Sequence, residues 1–387
     1  MRGGARRVED DLPSPPLSSS NTIREDKKMT KENLYRVGLT DRFEQEATMY
    51  EGLYLARVSV QHKDLYKIFT ENGEIQAEIS GKLGFMAKDN SDYPVVGDWV
   101  MVDRVDDNGG NSIIHHILRR KSVFERKAAG TSHQSQPVAA NIDTVFICMS
   151  LNNNFNLRRL ERYLSIAWDS MATPVVVLTK SDLCGDISTK LPEVYSVSIG
   201  VDVLVTTSIS DDGYKAVNKY IGKGKTVAFI GSSGVGKSTL INRMLGEELL
   251  TTKAIGEDDK GRHTTTHRQL IALPNGGVVI DTPGMRELQI ERADLSKSFA
   301  DIEQLAQTCR FSDCAHQTEP GCAVREAIEK SLISAERLGS YNKLQTELKY
   351  QGLNSRQREQ EKINKMFGSV NGMKQARADV KEKANRR

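Results

Sequence analysis

The chain has 387 residues, more than one hydrophobic core usually organises, so two or three domains are expected. Its 54 Lys and Arg stand against 51 Asp and Glu, and the net charge of +3 excludes a polycation that binds nucleic acid by total charge alone. No apolar run reaches the length of a membrane span, Arg2, Arg6 and Arg7 precede no apolar signal segment, and the five cysteines are odd in number and clustered; a cytoplasmic protein with neither membrane partner nor disulfide frame is expected.

Residues 1–48 mix Pro, Ser and both charges, as in EDDLPSPPLSSSNTIREDKK, with too few apolar residues to bury, and are expected to form a disordered extension. Met29 inside it is a candidate initiator. Residues 49–128 read as short β-segments without a helical period: LYLARVSV, LYKIFT, a hairpin at ENGE, IQAEIS, VVGDWVMVDRV and SIIHHIL. About five strands so closely spaced suggest a small closed barrel of the oligonucleotide-binding (OB) type. The barrel ends in RRKSVFERK, where Arg119, Arg120, Lys121, Arg126 and Lys127 flank Phe124. Cations around an aromatic suit backbone phosphates and a stacked base, and a solvated linker is an equal reading.

Residues 137–295 alternate apolar strands with amphipathic helices, the pattern of a mostly parallel α/β sheet. IDTVFICMS precedes a helix with Leu157, Leu160 and Leu164 on one face and Asn156 as cap, and the strands TPVVVLT, VDVLVTTS and TVAFIG follow. The last strand opens into Gly231, Ser232, Ser233, Gly234, Val235, Gly236, Lys237, Ser238 and Thr239, the phosphate loop G-x-x-x-x-G-K-[ST] between strand and helix. Glycines turn main-chain N–H groups toward the phosphates, Lys237 reaches the outer ones, and Ser238 is positioned for magnesium. TKSD after TPVVVLT selects the base: both oxygens of Asp182 accept the ring N–H and exocyclic amine of guanine, and the stem of Lys180 lies along the base plane. Thr179 stands where this motif more often carries Asn, and Ser208, with Thr207 and Ile209, offers main-chain N–H groups to the base oxygen.

In GVVIDTPG, Asp281 is placed to hold a magnesium-bound water and Gly284 leaves its N–H for the γ-phosphate. The polar stretch GEDDKGRHTTTHRQ resembles a switch loop; of Thr264, Thr265 and Thr266 the favoured magnesium and γ-phosphate ligand is Thr265. Met285 follows Asp-x-x-Gly where Ras-like proteins carry the Gln that orients water. Methionine cannot do so, and His263 has the chemistry to replace it, although a loop histidine is more often merely solvated. Base-reading strands come first, then the phosphate loop, then the switches, so the chain order of a GTPase is circularly permuted.

Residues 296–387 read as helical and charged, ending in an excess of Lys and Arg that suits RNA or a solvated helix. Within them Cys309, Cys314, His316 and Cys322 have the spacing of a closed tetrahedral zinc site, structural because no position is left open. A metabolite kinase shares the phosphate loop but has no use for the guanine motif, and an RNA-binding protein with a merely structural nucleotide is a third reading.

VGDWV, ANIDTVFI, TKSD, GSSGVGKSTL, GRHTTTH, DTPG and the Cys-Cys-His-Cys cluster, in this order, resemble the ribosome small-subunit-dependent GTPase A family (RsgA, also YjeQ/YloQ) from about residue 49 onward. The resemblance implies an OB barrel, a permuted GTPase domain and an α-helical zinc-binding domain in one monomer. It also implies GTP hydrolysis to GDP with magnesium, stimulated by the 30S subunit and its 16S rRNA late in maturation. The family uses the histidine of G-x-H-T-T-T in catalysis, here His263.

Overall fold

The structure, a computed structural model, describes residues 32–62, 65–127, 135–210, 213–247, 250, 269–281 and 295–349, with 357, 360, 364 and 375 beyond them. It begins with two short helices, α1 (32–36) and α2 (Asp41–Ala47). The expected disorder is therefore corrected over 32–48, while 1–31 lie outside the described residues. Leu34, Val37, Leu39 and Phe43 are all buried, and Phe43 stacks on Trp99 with ring centroids 5.6 Å apart. So few apolar residues suffice because they pack against another part of the chain rather than on one another.

The barrel comprises β1 (Tyr54–Gln61), β2 (Tyr66–Thr70), β3 (Gly73–Ile79), a helix α3 (Gly81–Met86), β4 (Trp99–Val102) and β5 (Ser112–Ile117). The strands run β1-β2-β3-β5-β4, and β4 returns to β1, so the sheet closes on itself and leaves no free edge. Only the β3–β5 pair is parallel, as an OB-type connection requires. On β2 the residues Tyr66, Ile68 and Thr70 point inward at period two, joining Ala56, Val58, Val100 and Ile114 in the core. Helix α3 was not expected. Six residues with none buried leave no period in the sequence, and its start is local: the Ser80 hydroxyl accepts the N–H of Leu83 at 3.0 Å.

The RRKSVFERK stretch neither stacks a base nor forms a loose linker. It leads into β6 (Val123–Lys127), which pairs with β7 (Ser135–Ala140) as a two-stranded ribbon. Phe124 is 1% exposed, Arg120 is bound to buried Asp98 at 2.8 Å, and Lys121 to Asp143 at 2.6 Å. Burial removes Phe124 as a stacking platform and carboxylates take up two of the five cations, while Arg119 remains exposed.

There follow β8 (Thr144–Ser150), α4 (Leu157–Asp169), β9 (Thr173–Thr179), α5 (Ile187–Val197), β10 (Asp202–Val205), β11 (Thr226–Ile230), α6 (Lys237–Leu245), β12 (Gln269–Ala272) and β13 (Val278–Asp281). The order β10-β9-β8-β11-β13 is parallel throughout, β12 joins antiparallel, and β12 touches β1 through Gln269 and Val60. Every residue of β8 is buried, as a parallel strand covered on both faces must be. Asn156 caps α4 by accepting the N–H of Arg159 at 2.9 Å, and Leu160 and Leu164 face the core.

Helices α7 (Ala300–Ala306), α8 (Ala323–Glu329) and α9 (Ala335–Lys349) complete the described chain, and among described residues no helix is long and apolar enough to cross a membrane. Arg337 of α9, 3% exposed, joins α7 and α9 to α4. It grips Asp301 through two hydrogen bonds of 2.7 and 2.8 Å, Glu161 of α4 at 3.0 Å and the Ser298 carbonyl at 2.9 Å. Removing the cation takes both hydrogen bonds from part-exposed Asp301 and leaves buried Glu161 with Arg158 alone, so Arg337→Met is expected to cost about 2 kcal/mol in denaturant unfolding; a change within about 0.5 kcal/mol would contradict this role.

Candidate functional site

Strand β11 delivers the chain to Gly231, whose φ is +146° and whose added Cβ would lie 2.4 Å from the Cys148 carbonyl oxygen. Only glycine lets the loop pass this close to β8. Gly234 and Gly236 also have positive φ, and α6 begins directly at Lys237. The Lys237 ammonium donates to the carbonyls of Gly231 at 2.9 Å and Ser232 at 2.8 Å, which folds it over the loop. The Ser232 hydroxyl lies 3.1 Å from Asn154 Nδ2 and 3.0 Å from Arg159 Nη1. Ser238 and Thr239 occupy the first turn of α6, half-buried, with Ser233 and Val235 in the loop before it. Asp281 ends the neighbouring strand β13; burial raises its pKa, against the pull of Lys237. Its carboxylate and the Ser238 hydroxyl are hard oxygen donors of the kind magnesium takes, so the residues present fit that ion.

The turn at 179–182 leaves β9 beside this loop. Thr179, 4% exposed, donates its hydroxyl to the Val235 carbonyl at 2.5 Å across 56 residues of sequence. Lys180 takes the left-handed conformation at φ +56°, turning Asp182 outward, and the Thr207 hydroxyl donates to Asp182. A cavity of about 60 Å³ opens here, lined among others by Lys180, Thr207, Ser208, Tyr214, Thr239 and Arg243. Arg243 also reaches the Ser208 carbonyl at 3.3 Å. Neither Tyr214 nor Arg243 belongs to a motif, and the contacts of Thr207, Asn154 and Arg159 carry no signal in the sequence. His263, Thr264, Thr265, Thr266, Gly284 and Met285 lie outside the described residues.

In the connection between α7 and α8, Cys309, Cys314, His316 and Cys322 bring their ligand atoms within 4.8 Å of one another. His316 Nδ1 is 3.6 Å from Cys309 Sγ and 3.4 Å from Cys322 Sγ. Burial opposes ionisation of Cys309, but main-chain N–H groups of Val324 and Ala323 at the start of α8 hold its thiol below the usual range. Burial and the adjoining sulfurs push Cys314 up to about 11. Three thiolates with one imidazole can hold a metal ion, whose charge would offset the crowding of the sulfurs. Glu319, unremarked in the sequence, braces the turn: its carboxylate accepts the N–H groups of Ala315, Gln317 and Thr318 at 2.8 to 3.0 Å. Its own N–H and these neighbours hold that carboxyl at about 2.

A model of the RsgA GTPase family matches residues 117–291. A model of the ABC transporter family matches 214–380, a span that contains the phosphate loop but not the base-reading turn at 179–182. The small ribosomal subunit biogenesis GTPase RsgA 2 of Lactiplantibacillus plantarum is 53% identical over 346 residues, 89% of this chain and 97% of the relative. The RsgA of Methanosarcina acetivorans is 44% identical over 318 residues, covering 81% and 85%. Among solved structures, YjeQ from Thermotoga maritima aligns at a TM-score of 0.58 and 27% identity over 76% of this chain and 98% of that one. YloQ, a circularly permuted GTPase, aligns at 0.55 and 25% over 79% and 98%.

A metal-bound cluster shares its binding energy with folding. Chelation is therefore expected to release a metal ion from the purified chain and lower its helical circular dichroism as α7 and α8 loosen. An unchanged spectrum after complete metal removal would contradict that coupling.

Proposed function

Because the chain belongs to the RsgA family of GTPases, we propose that it binds the 30S ribosomal subunit through 16S rRNA late in that subunit's maturation and hydrolyses GTP to GDP and phosphate when the subunit stimulates it. It acts as a cytoplasmic monomer, with a zinc-stabilised helical region (296–387) and an OB barrel (49–128) flanking the GTPase region (137–295). The observation that carries this reading is the Thr179 hydroxyl on the Val235 carbonyl, which brings the guanine-reading turn and the phosphate loop to one edge of the sheet.

In this reading Asp182 accepts the two guanine donors, Lys180 covers the base, and Ser208 offers its N–H to the base oxygen. The N–H groups from Gly231 to Thr239 cradle the phosphates, which are centred on the helix start where partial positive charge gathers. Lys237 leaves its carbonyl partners for the outer phosphates. Ser238, Thr265 and Asp281 would hold magnesium, whose charge, when bound, neutralises phosphate oxygens. Gly284 meets the γ-phosphate, and His263 orients the attacking water in place of the missing glutamine. The bond from γ-phosphorus to the bridging oxygen breaks, a bond to the water oxygen forms, the electron pair passes to GDP, and the water proton is released with phosphate. Cys309, Cys314, His316 and Cys322 would hold zinc with no ligand position left open, so its task is structural.

Phosphate release measured with and without purified 30S subunits tests this reading. Turnover is expected to rise at least about tenfold with 30S, a loss of at least 1.4 kcal/mol from the barrier, and not with 50S. Equal release in both conditions would contradict it.

A further inference from the structure

Helix α4 begins with three arginines in its first two turns, Arg158, Arg159 and Arg162. Two of them meet carboxylates: Arg158 binds Glu161 at 2.6 Å and Arg162 binds Glu347 at 2.6 Å. Arg159 differs. Among the described residues its guanidinium touches only neutral acceptors, Asn154 Oδ1 at 2.6 Å and Ser232 Oγ at 3.0 Å, and no carboxylate pairs with it. Ser232 is the second residue of the phosphate loop, and its carbonyl carries Lys237. An ammonium and a guanidinium therefore converge on one loop residue. Lys237 has the carboxylate of Asp281 acting on it, whereas Arg159 has none among the described residues, so an added anion would stabilise the guanidinium most. A guanidinium on neutral acceptors also keeps its planar fork available for phosphate oxygens.

We propose that Arg159 is a catalytic arginine supplied in cis: when GTP binds, its guanidinium exchanges the Ser232 hydroxyl for an oxygen of the γ-phosphate and neutralises charge there during hydrolysis. Asn154 holds the side chain at the loop in the meantime. Its contribution is distinct from the orientation of water assigned to His263, because a guanidinium on a γ-phosphate oxygen stabilises charge rather than positions the nucleophile. No new bond chemistry is involved; the γ-phosphorus is transferred to water, and GDP, phosphate and a proton result. The inference rests on the phosphate-loop reading of residues 231–239.

Full-length wild type and the variants Arg159→Lys, Arg159→Gln and Arg159→Ala test it, with Arg158→Ala as a control on the paired neighbour. Single-turnover GTP hydrolysis, fluorescent GDP affinity and thermal unfolding are measured for each. Arg159→Gln, which keeps a donor for Ser232 without the charge, is expected to slow hydrolysis about a hundredfold or more, with GDP affinity changed less than about threefold. Arg159→Lys keeps part of the rate, and Arg158→Ala keeps nearly all of it. Hydrolysis unchanged in Arg159→Gln and Arg159→Ala would overturn the proposal. So would GDP affinity falling in step with hydrolysis, since that marks a strut of the loop. Wild type that fails to bind GDP at all would overturn the phosphate-loop reading first, which separates the two failures.

Discussion

The hydroxyl of Thr179 on the main-chain carbonyl of Val235 is the contact on which the nucleotide site depends. It fastens the turn that would read a base to the loop that would hold phosphates, and it does so from a buried position where an unmet carbonyl is costly. The contact is possible because β9, β8 and β11 run parallel and adjacent, so loops following them emerge on the same edge. That edge is indifferent to which loop comes first in the chain. A GTPase whose turn at 179–182 precedes its phosphate loop in the chain can therefore still gather both at one edge.

Buried arginines join the parts around this sheet. Arg57 of the barrel is fully buried; it donates to the Val37 carbonyl of the N-terminal segment, to Gly97 at 3.3 Å and to Thr226 at 3.0 Å, and lies over Trp99. Thr226 opens the strand that feeds the phosphate loop. Burial lowers the Arg57 pKa to about 10, against Asp143 and Asp98, so the group stays charged near neutrality. Arg337 joins the C-terminal helices to α4 through Asp301 and Glu161. Helix α4 thus has Arg159 at the phosphate loop and Glu161 at the C-terminal helices, two residues apart. A displacement at either end acts on the same rigid element.

The sequence made the sheet and the phosphate loop legible because their signals are local. Unbroken apolar runs such as Val145 to Met149 are what a two-sided strand demands, and glycines at 231, 234 and 236 mark the backbone approach that the loop requires. The metal cluster was legible because its ligands lie within fourteen positions, 309 to 322. Helices α1 and α2 were not, since Leu34, Val37, Leu39 and Phe43 are apolar at no clear period and gain their value only in a core shared with distant residues, as Phe43 does on Trp99. Composition also misjudged Phe124 and Arg120, because an exposed basic stretch and a buried, paired one have the same letters. Arg159 stayed hidden for the converse reason: only coordinates distinguish it from Arg158 and Arg162.

The central claim is that residues 179–182 and 231–239 serve one guanine nucleotide. Binding of GDP and of xanthosine diphosphate, compared in wild type and Asp182→Asn, tests it most directly, because the amide of asparagine donates where xanthine offers a carbonyl in place of the guanine amine. Wild type is expected to prefer GDP, and Asp182→Asn to prefer xanthosine diphosphate. Equal preference for GDP in both proteins would contradict the account.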